Sequence, residues 1–125
     1  MVEVGVVDYN ISREFIILPS FHIEWKRLGL NDYDLKRLEN ELLHNPKSGS
    51  VMQGTGGVRK MRFAFENKGK SGSTRIIYVD FEAYEKIYLL DVYAKAEKES
   101  LTKSERNELH ALVDLLEIEI LKRRK

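Results

Sequence analysis

Residues Gly54–Tyr78 read GTGGVRKMRFAFENKGKSGSTRIIY. A glycine cluster precedes one strand-like run, Val58–Glu66, and the turn NKGKSGS leads into a second, Thr74–Glu82. The turn is short enough for an antiparallel hairpin. Side chains alternate along a strand, so Lys60 and Arg62 share one face of the first run, while Met61, Phe63 and Phe65 point the other way, toward a core. Pairing of the two runs brings Arg75, at the head of the second, near Lys60 or Arg62. The length of the turn leaves the register open.

Outward from this hairpin the chain alternates clear signals. A third strand, Lys86–Ala94, follows the short link Ala83-Tyr84-Glu85. Upstream, Pro46–Gly57 reads as a loop, and Asn45-Pro46 ends a helix because a residue before proline avoids the α region. That helix is capped by Asn31 and carries Leu35, Leu38, Leu42 and Leu43 on one face. Before it, Pro19 opens a helix with Phe21, Trp25 and Leu28 at i, i+4 and i+7, and Gly29 is a natural stop. Arg13–Leu18 is a β-branched strand. Downstream, Thr102 and Glu105 have the form of a capping box. They open a last helix with Leu109, Leu112, Val113, Leu116 and Ile120 on one face. Leu115 and Ile118 widen its apolar surface toward a possible partner, and the basic end Lys122–Lys125 suits a helix C-terminus. The order β-α-α-β-β-β-α predicts an α+β fold with helices packed on a mainly antiparallel sheet, one domain over residues 1–125. Residues 1–12 are read as an extra edge strand or arm.

Charge is unevenly spread. The chain has 21 Lys and Arg against 20 Asp and Glu. From Pro46 to Arg75, however, there are seven cations (Lys47, Arg59, Lys60, Arg62, Lys68, Lys70, Arg75) and the single anion Glu66. A basic strand-turn-strand in a nearly neutral chain points to a polyanionic partner. Three cations on one sheet face, with glycines alongside, form a phosphate cradle: arginine offers bidentate contacts and lysine a mobile point charge. The competing reading is a set of solvated surface charges. A noncatalytic RNA-binding sheet fits the charge equally well.

Other chemistries find less support. With no cysteine there is no disulfide scaffold, thiolate metal site or cysteine nucleophile, which suits a reducing cytoplasm. No apolar run approaches the roughly 20 residues needed to cross a bilayer, and the N-terminus lacks the pattern of a secretory signal. His22, His44 and His110 have no metal-ligand spacing, so no metal site is expected. Gly54, Gly56 and Gly57 complete neither a P-loop nor a dinucleotide fingerprint. Strand aromatics such as Phe63, Tyr78 and Tyr93 read first as core, Tyr93 least firmly because it lies near a strand end beside Lys95.

The ordered segments NPKSGSVMQGTGGVRKMRFA, KGKSGSTRIIY and IYLLDVYAKAEKESLTKSE resemble the HigB branch of the RelE/HigB toxins, the toxin halves of bacterial toxin–antitoxin pairs. The resemblance runs from about Glu14 to Leu116. It implies a small curved sheet with two helices packed on it, and a ribosome-dependent endoribonuclease that cuts mRNA in the A site without metal or other cofactor. Attack of the ribose 2′-hydroxyl on the adjacent phosphate then leaves a cyclic phosphate and a 5′-hydroxyl. The implied catalytic positions are Lys60, Arg62 and Arg75. In RelE itself the first two are both lysines, so Arg62 departs from that pattern. An arginine is a poor base, which leaves Lys60 for proton transfer. RelE also carries an arginine and a tyrosine after its last strand; an ungapped match puts these on Ala96 and Thr102, leaving Tyr93, Lys95 and Lys98 as nearby substitutes. Lys68, Lys70, Arg59, Lys95 and Lys98 are implied contacts to RNA or ribosome. The implied partners are a HigA-like, helix-turn-helix antitoxin, which alone would touch operator DNA, and the ribosome with its message. The related ParE branch, which poisons gyrase and cuts no RNA, shares the fold and stands as the alternative.

Overall fold

The computed structural model describes residues 12–64 and 73–123. Its elements are β1 (Glu14–Ile17), α1 (Pro19–Arg27), α2 (Asp32–His44), β2 (Ser50–Val51), β3 (Arg59–Ala64), β4 (Ser73–Phe81), β5 (Lys86–Ala94) and α3 (Lys103–Arg123). One five-stranded sheet has the order β1-β5-β4-β3-β2. Its β2-β3-β4-β5 part is antiparallel, and β1 joins the far edge parallel to β5.

The predicted caps form. Asn31 and Asp34 make a reciprocal box, with the Asp34 amide donating to Asn31 Oδ1 at 2.9 Å and the Asn31 amide donating to Asp34 Oδ2 at 3.0 Å. Thr102 and Glu105 repeat it at α3. Each box satisfies two amides that a helix start would otherwise leave unpaired. Pro19 sits in the first turn of α1, where its missing N–H costs nothing.

The apolar stripes then decide the layers. α1 and α2 bury Phe21, Trp25, Leu38 and Leu42 against Met61, Phe63, Ile76, Tyr78, Ile87, Leu89 and Val92 on one sheet face. Complete burial of a side chain such as Leu38 contributes roughly 1.5–3 kcal/mol. α3 covers part of the opposite face, with Val113 and Ile120 buried on Val79, Tyr88 and Leu90 and with Leu109, Leu112 and Leu116 half-buried around them. Leu115 and Ile118 remain 61% and 50% exposed, as their positions off the main stripe predict.

Three features lie outside the sequence reading. The stretch Pro46–Gly57, expected as a loop, includes the short edge strand β2. It is held because the Tyr78 hydroxyl donates to the Pro46 carbonyl and accepts from the Gly49 amide. A Cβ on Gly49 would stand 2.8 Å from the Lys60 carbonyl oxygen, so only glycine lets this segment approach. Arg13 pairs with Asp80 at 2.7 Å, both side chains nearly out of water (9% and 2% exposed), and ties the chain before β1 to β4. Finally, the β4–β5 register slips between Ile77 and Tyr78, which face Asp91 and Leu89. The bulge at Leu90 reverses the alternation, so Tyr93 faces the α3 side with Tyr88 and Leu90 rather than following Ile87 and Leu89.

Candidate active site

The β3–β4 register sets Arg62 opposite Arg75, and the β4–β5 register sets Arg75 opposite Tyr93. Directly opposed residues share a face with Cβ atoms about 4.5–5.5 Å apart. Arg62, Arg75 and Tyr93 thus form one row across three strands. Lys60 is two residues from Arg62 in the next row, opposite Ile77, which in turn faces Asp91. The face that carries these groups is the one left open where α3 does not cover it.

The other cations of the segment separate from this face. Arg59 lies opposite Tyr78 on the helix side, and its guanidinium donates to the Gly49 carbonyl at 2.6 Å. Arg59, expected to contact RNA or ribosome, thus lies on the sheet face opposite to Lys60 and Arg62. Lys47 pairs with Glu82 at 2.9 Å and with Asp80 at 3.6 Å, and this pairing holds the Glu82 carboxyl below the usual range. Lys68 and Lys70, with Phe65, lie outside the described residues.

Around the row, polarity is arranged closely. The Arg75 guanidinium donates to Ser73 Oγ at 3.0 Å, which orients it along its own strand. Tyr93 is 6% exposed, and its hydroxyl has no hydrogen-bond partner among the described residues. Burial pushes its ionisation up, against the opposing pull of Arg75 and Lys98, so the phenol stays protonated near neutrality. The Lys98 ammonium lies 5.4 Å from the Tyr93 ring centroid and is held by Glu105. That bond keeps the ammonium charged and directs it to α3, so Lys98, expected on RNA, is already engaged within the fold. Asp91 is pushed up by burial, with the Val92 amide donating to its Oδ1 at 2.8 Å. Lys95 is exposed just beyond β5, and its amide donates to the Ser73 carbonyl. Ala96 is exposed in the following turn, and the Thr102 hydroxyl is occupied as the α3 cap.

Beside Lys60 opens a cavity of about 410 Å³ between the β2–β3 loop and the start of α3, also lined by Lys103, Arg106 and Asn107. The sequence reading missed these three helix residues because it followed the apolar face. A signal was present: cations in the first turns of a helix oppose its dipole, and Lys103 and Arg106 both stand there. Among the described residues, no cluster of histidine or acidic side chains could hold a metal ion.

Fold and site together define a class: a small α+β protein whose partly open sheet face carries two arginines, a lysine and a buried phenol in adjoining rows. A family model described as RelE toxin of the RelE / RelB toxin-antitoxin system matches residues 20–120. The chain belongs to this RelE toxin family, one half of a toxin–antitoxin pair, so an antitoxin is its partner. Among solved structures it is similar to a free-state double arginine-to-alanine mutant of E. coli toxin RelE. That match has 14% identity and a TM-score of 0.49, and covers 70% of this chain and 88% of the other.

Proposed function

We propose that this chain is a ribosome-dependent endoribonuclease that cuts mRNA in the A site, acts in the cytoplasm, and is restrained by a HigA-like, helix-turn-helix antitoxin that alone contacts operator DNA. The observation that carries the reading is the row Arg62–Arg75–Tyr93 with Lys60 beside it. A gyrase poison has no need of these groups on one face.

The chemistry follows from the side chains. Lys60 takes the proton of the ribose 2′-hydroxyl as that oxygen attacks phosphorus. Arg62 and Arg75 hold the non-bridging oxygens, where negative charge grows, and a guanidinium pair suits a phosphate group. The bond from phosphorus to the 5′ oxygen breaks, and Tyr93 supplies the proton that this oxygen needs. The Tyr93 hydroxyl, buried and without a hydrogen-bond partner among the described residues, has a proton to donate once substrate binding opens the site to it. The products are a 2′,3′-cyclic phosphate and a 5′-hydroxyl. Lys95, Lys68 and Lys70 contact RNA backbone outside the reacting group.

Expression in bacteria followed by mapping of mRNA 5′ ends tests this. New ends within translated messages are expected, and Lys60→Ala and Arg75→Ala should each abolish them while antitoxin binding persists. Growth arrest with intact messages and gyrase-linked DNA breaks would overturn the proposal.

A further inference from the structure

We propose that the cavity beside Lys60 is a base-reading subsite that holds the nucleotide next to the scissile phosphate, an inference that rests on the endoribonuclease reading above. Its volume, about 410 Å³, lies within the range of small-ligand clefts. Its composition has the three parts a nucleotide needs. Lys103 and Arg106 supply positive charge, and among the described residues no acidic side chain lines the cavity. Gln53 and Asn107 place two amides there, each able to donate and accept toward a base edge. Met52 and Leu101 give apolar surface for a base face.

The site is built before any ligand arrives. Thr55 is fully buried, and its Oγ1 donates to the Met52 carbonyl at 2.7 Å and accepts from the Val58 amide at 3.0 Å, which closes the loop that carries Gln53. Gly56 adopts φ +77°, and a Cβ there would come within 2.8 Å of the His110 ring, so the loop is seated directly on α3. Arg106 donates one N–H to the Leu101 carbonyl at 3.3 Å and keeps four of its five donors. The acids of the same helical turns, Glu105 and Glu108, line a separate cavity of about 240 Å³ with Asp91 and leave the charge of this one uncompensated. Because Lys60 belongs both to this cavity and to the basic face, a nucleotide seated here adjoins the phosphate held by Arg62 and Arg75.

The test uses the full chain and four 2′-O-methyl trinucleotides that differ only in the central base and cannot be cleaved. In NMR spectra the side-chain amide signals of Gln53 and Asn107 should shift, with one base favoured by roughly 5- to 100-fold. Gln53→Ala and Asn107→Ala should flatten that preference, and should flatten base preference at the mapped cuts in messages. Arg106→Ala should weaken all four ligands alike. Equal binding of all four bases, or message cuts whose base preference survives both amide variants, would overturn the subsite and leave the nuclease standing. Base-dependent shifts in a wild-type chain that cuts no message would instead overturn the nuclease and keep a nucleotide site.

Discussion

Replacing Tyr93 with phenylalanine should make the protein more stable and less active at once. The ring belongs to the core cluster that includes Val58, Ile77 and Leu101, and phenylalanine keeps that place and the contact with Lys98. Only the hydroxyl is lost, and it is buried without a partner among the described residues. An unsatisfied buried polar group costs about 1–3 kcal/mol. Taking the lower end, because the fold relaxes around such a group, the variant should gain about 1 kcal/mol, or about 3–5 °C in Tm for a chain of this size. Loss of a proton donor should slow cleavage by about 10²- to 10⁴-fold. Thermal unfolding followed by circular dichroism reads the first effect, and mapped mRNA ends after timed induction read the second. A Tm lowered by several degrees would show that the hydroxyl is satisfied in the folded protein. Undiminished cleavage would remove Tyr93 from the mechanism.

Other outcomes follow from neighbouring features. Arg13→Ala leaves the Asp80 carboxylate, among the described residues, with the half-exposed Lys47, and should cost about 3 kcal/mol in urea unfolding, whereas Arg13→Met with Asp80→Leu should be close to neutral; equal losses in both would refute the pairing argument. Burial raises Tyr78, Tyr88 and Tyr93 above the ordinary value of 10.0. The folded chain therefore holds protons that the unfolded chain releases from about pH 10 upward, so stability should be level below that pH and fall above it; urea midpoints between pH 8 and 11 check the slope. Gly56→Ala should cost about 1–2 kcal/mol for its left-handed backbone and displace the loop from His110, visible as a shifted His110 ring signal.

Much of the fold was legible locally. Caps at Asn31 and Thr102, proline at the start of α1 and leucine spacing in α2 act within a few residues, and a few residues are what sequence patterns report. The parallel docking of β1 on β5 was not legible, since nothing near Glu14 specifies Lys86 as its neighbour. At the site, alternation alone placed Lys60 and Arg62 on one face and identified Met61 and Phe63 as core. It would have sent Tyr93 to the helix side, because unbroken alternation from Ile87 and Leu89 ends there. The bulge at Leu90 reverses that, and a bulge depends on how two strands meet. Arg106 and Asn107 were hidden for a related reason: their significance lies in the loop that packs beside them.

The pairing of β1 with β5 also sets an order of assembly. Glu14 and Lys86 are 72 positions apart, so β1 leaves the ribosome well before its partner β5 has been made. At roughly 5–20 residues per second, that wait is about 4–14 s. Contacts so distant in sequence are formed late and slow the folding of small domains. The β3–β4–β5 meander, which carries Lys60, Arg62, Arg75 and Tyr93, can pair from local hairpins before β1 arrives. The basic face is thus assembled early in folding, and the N-terminal strand closes the sheet afterwards.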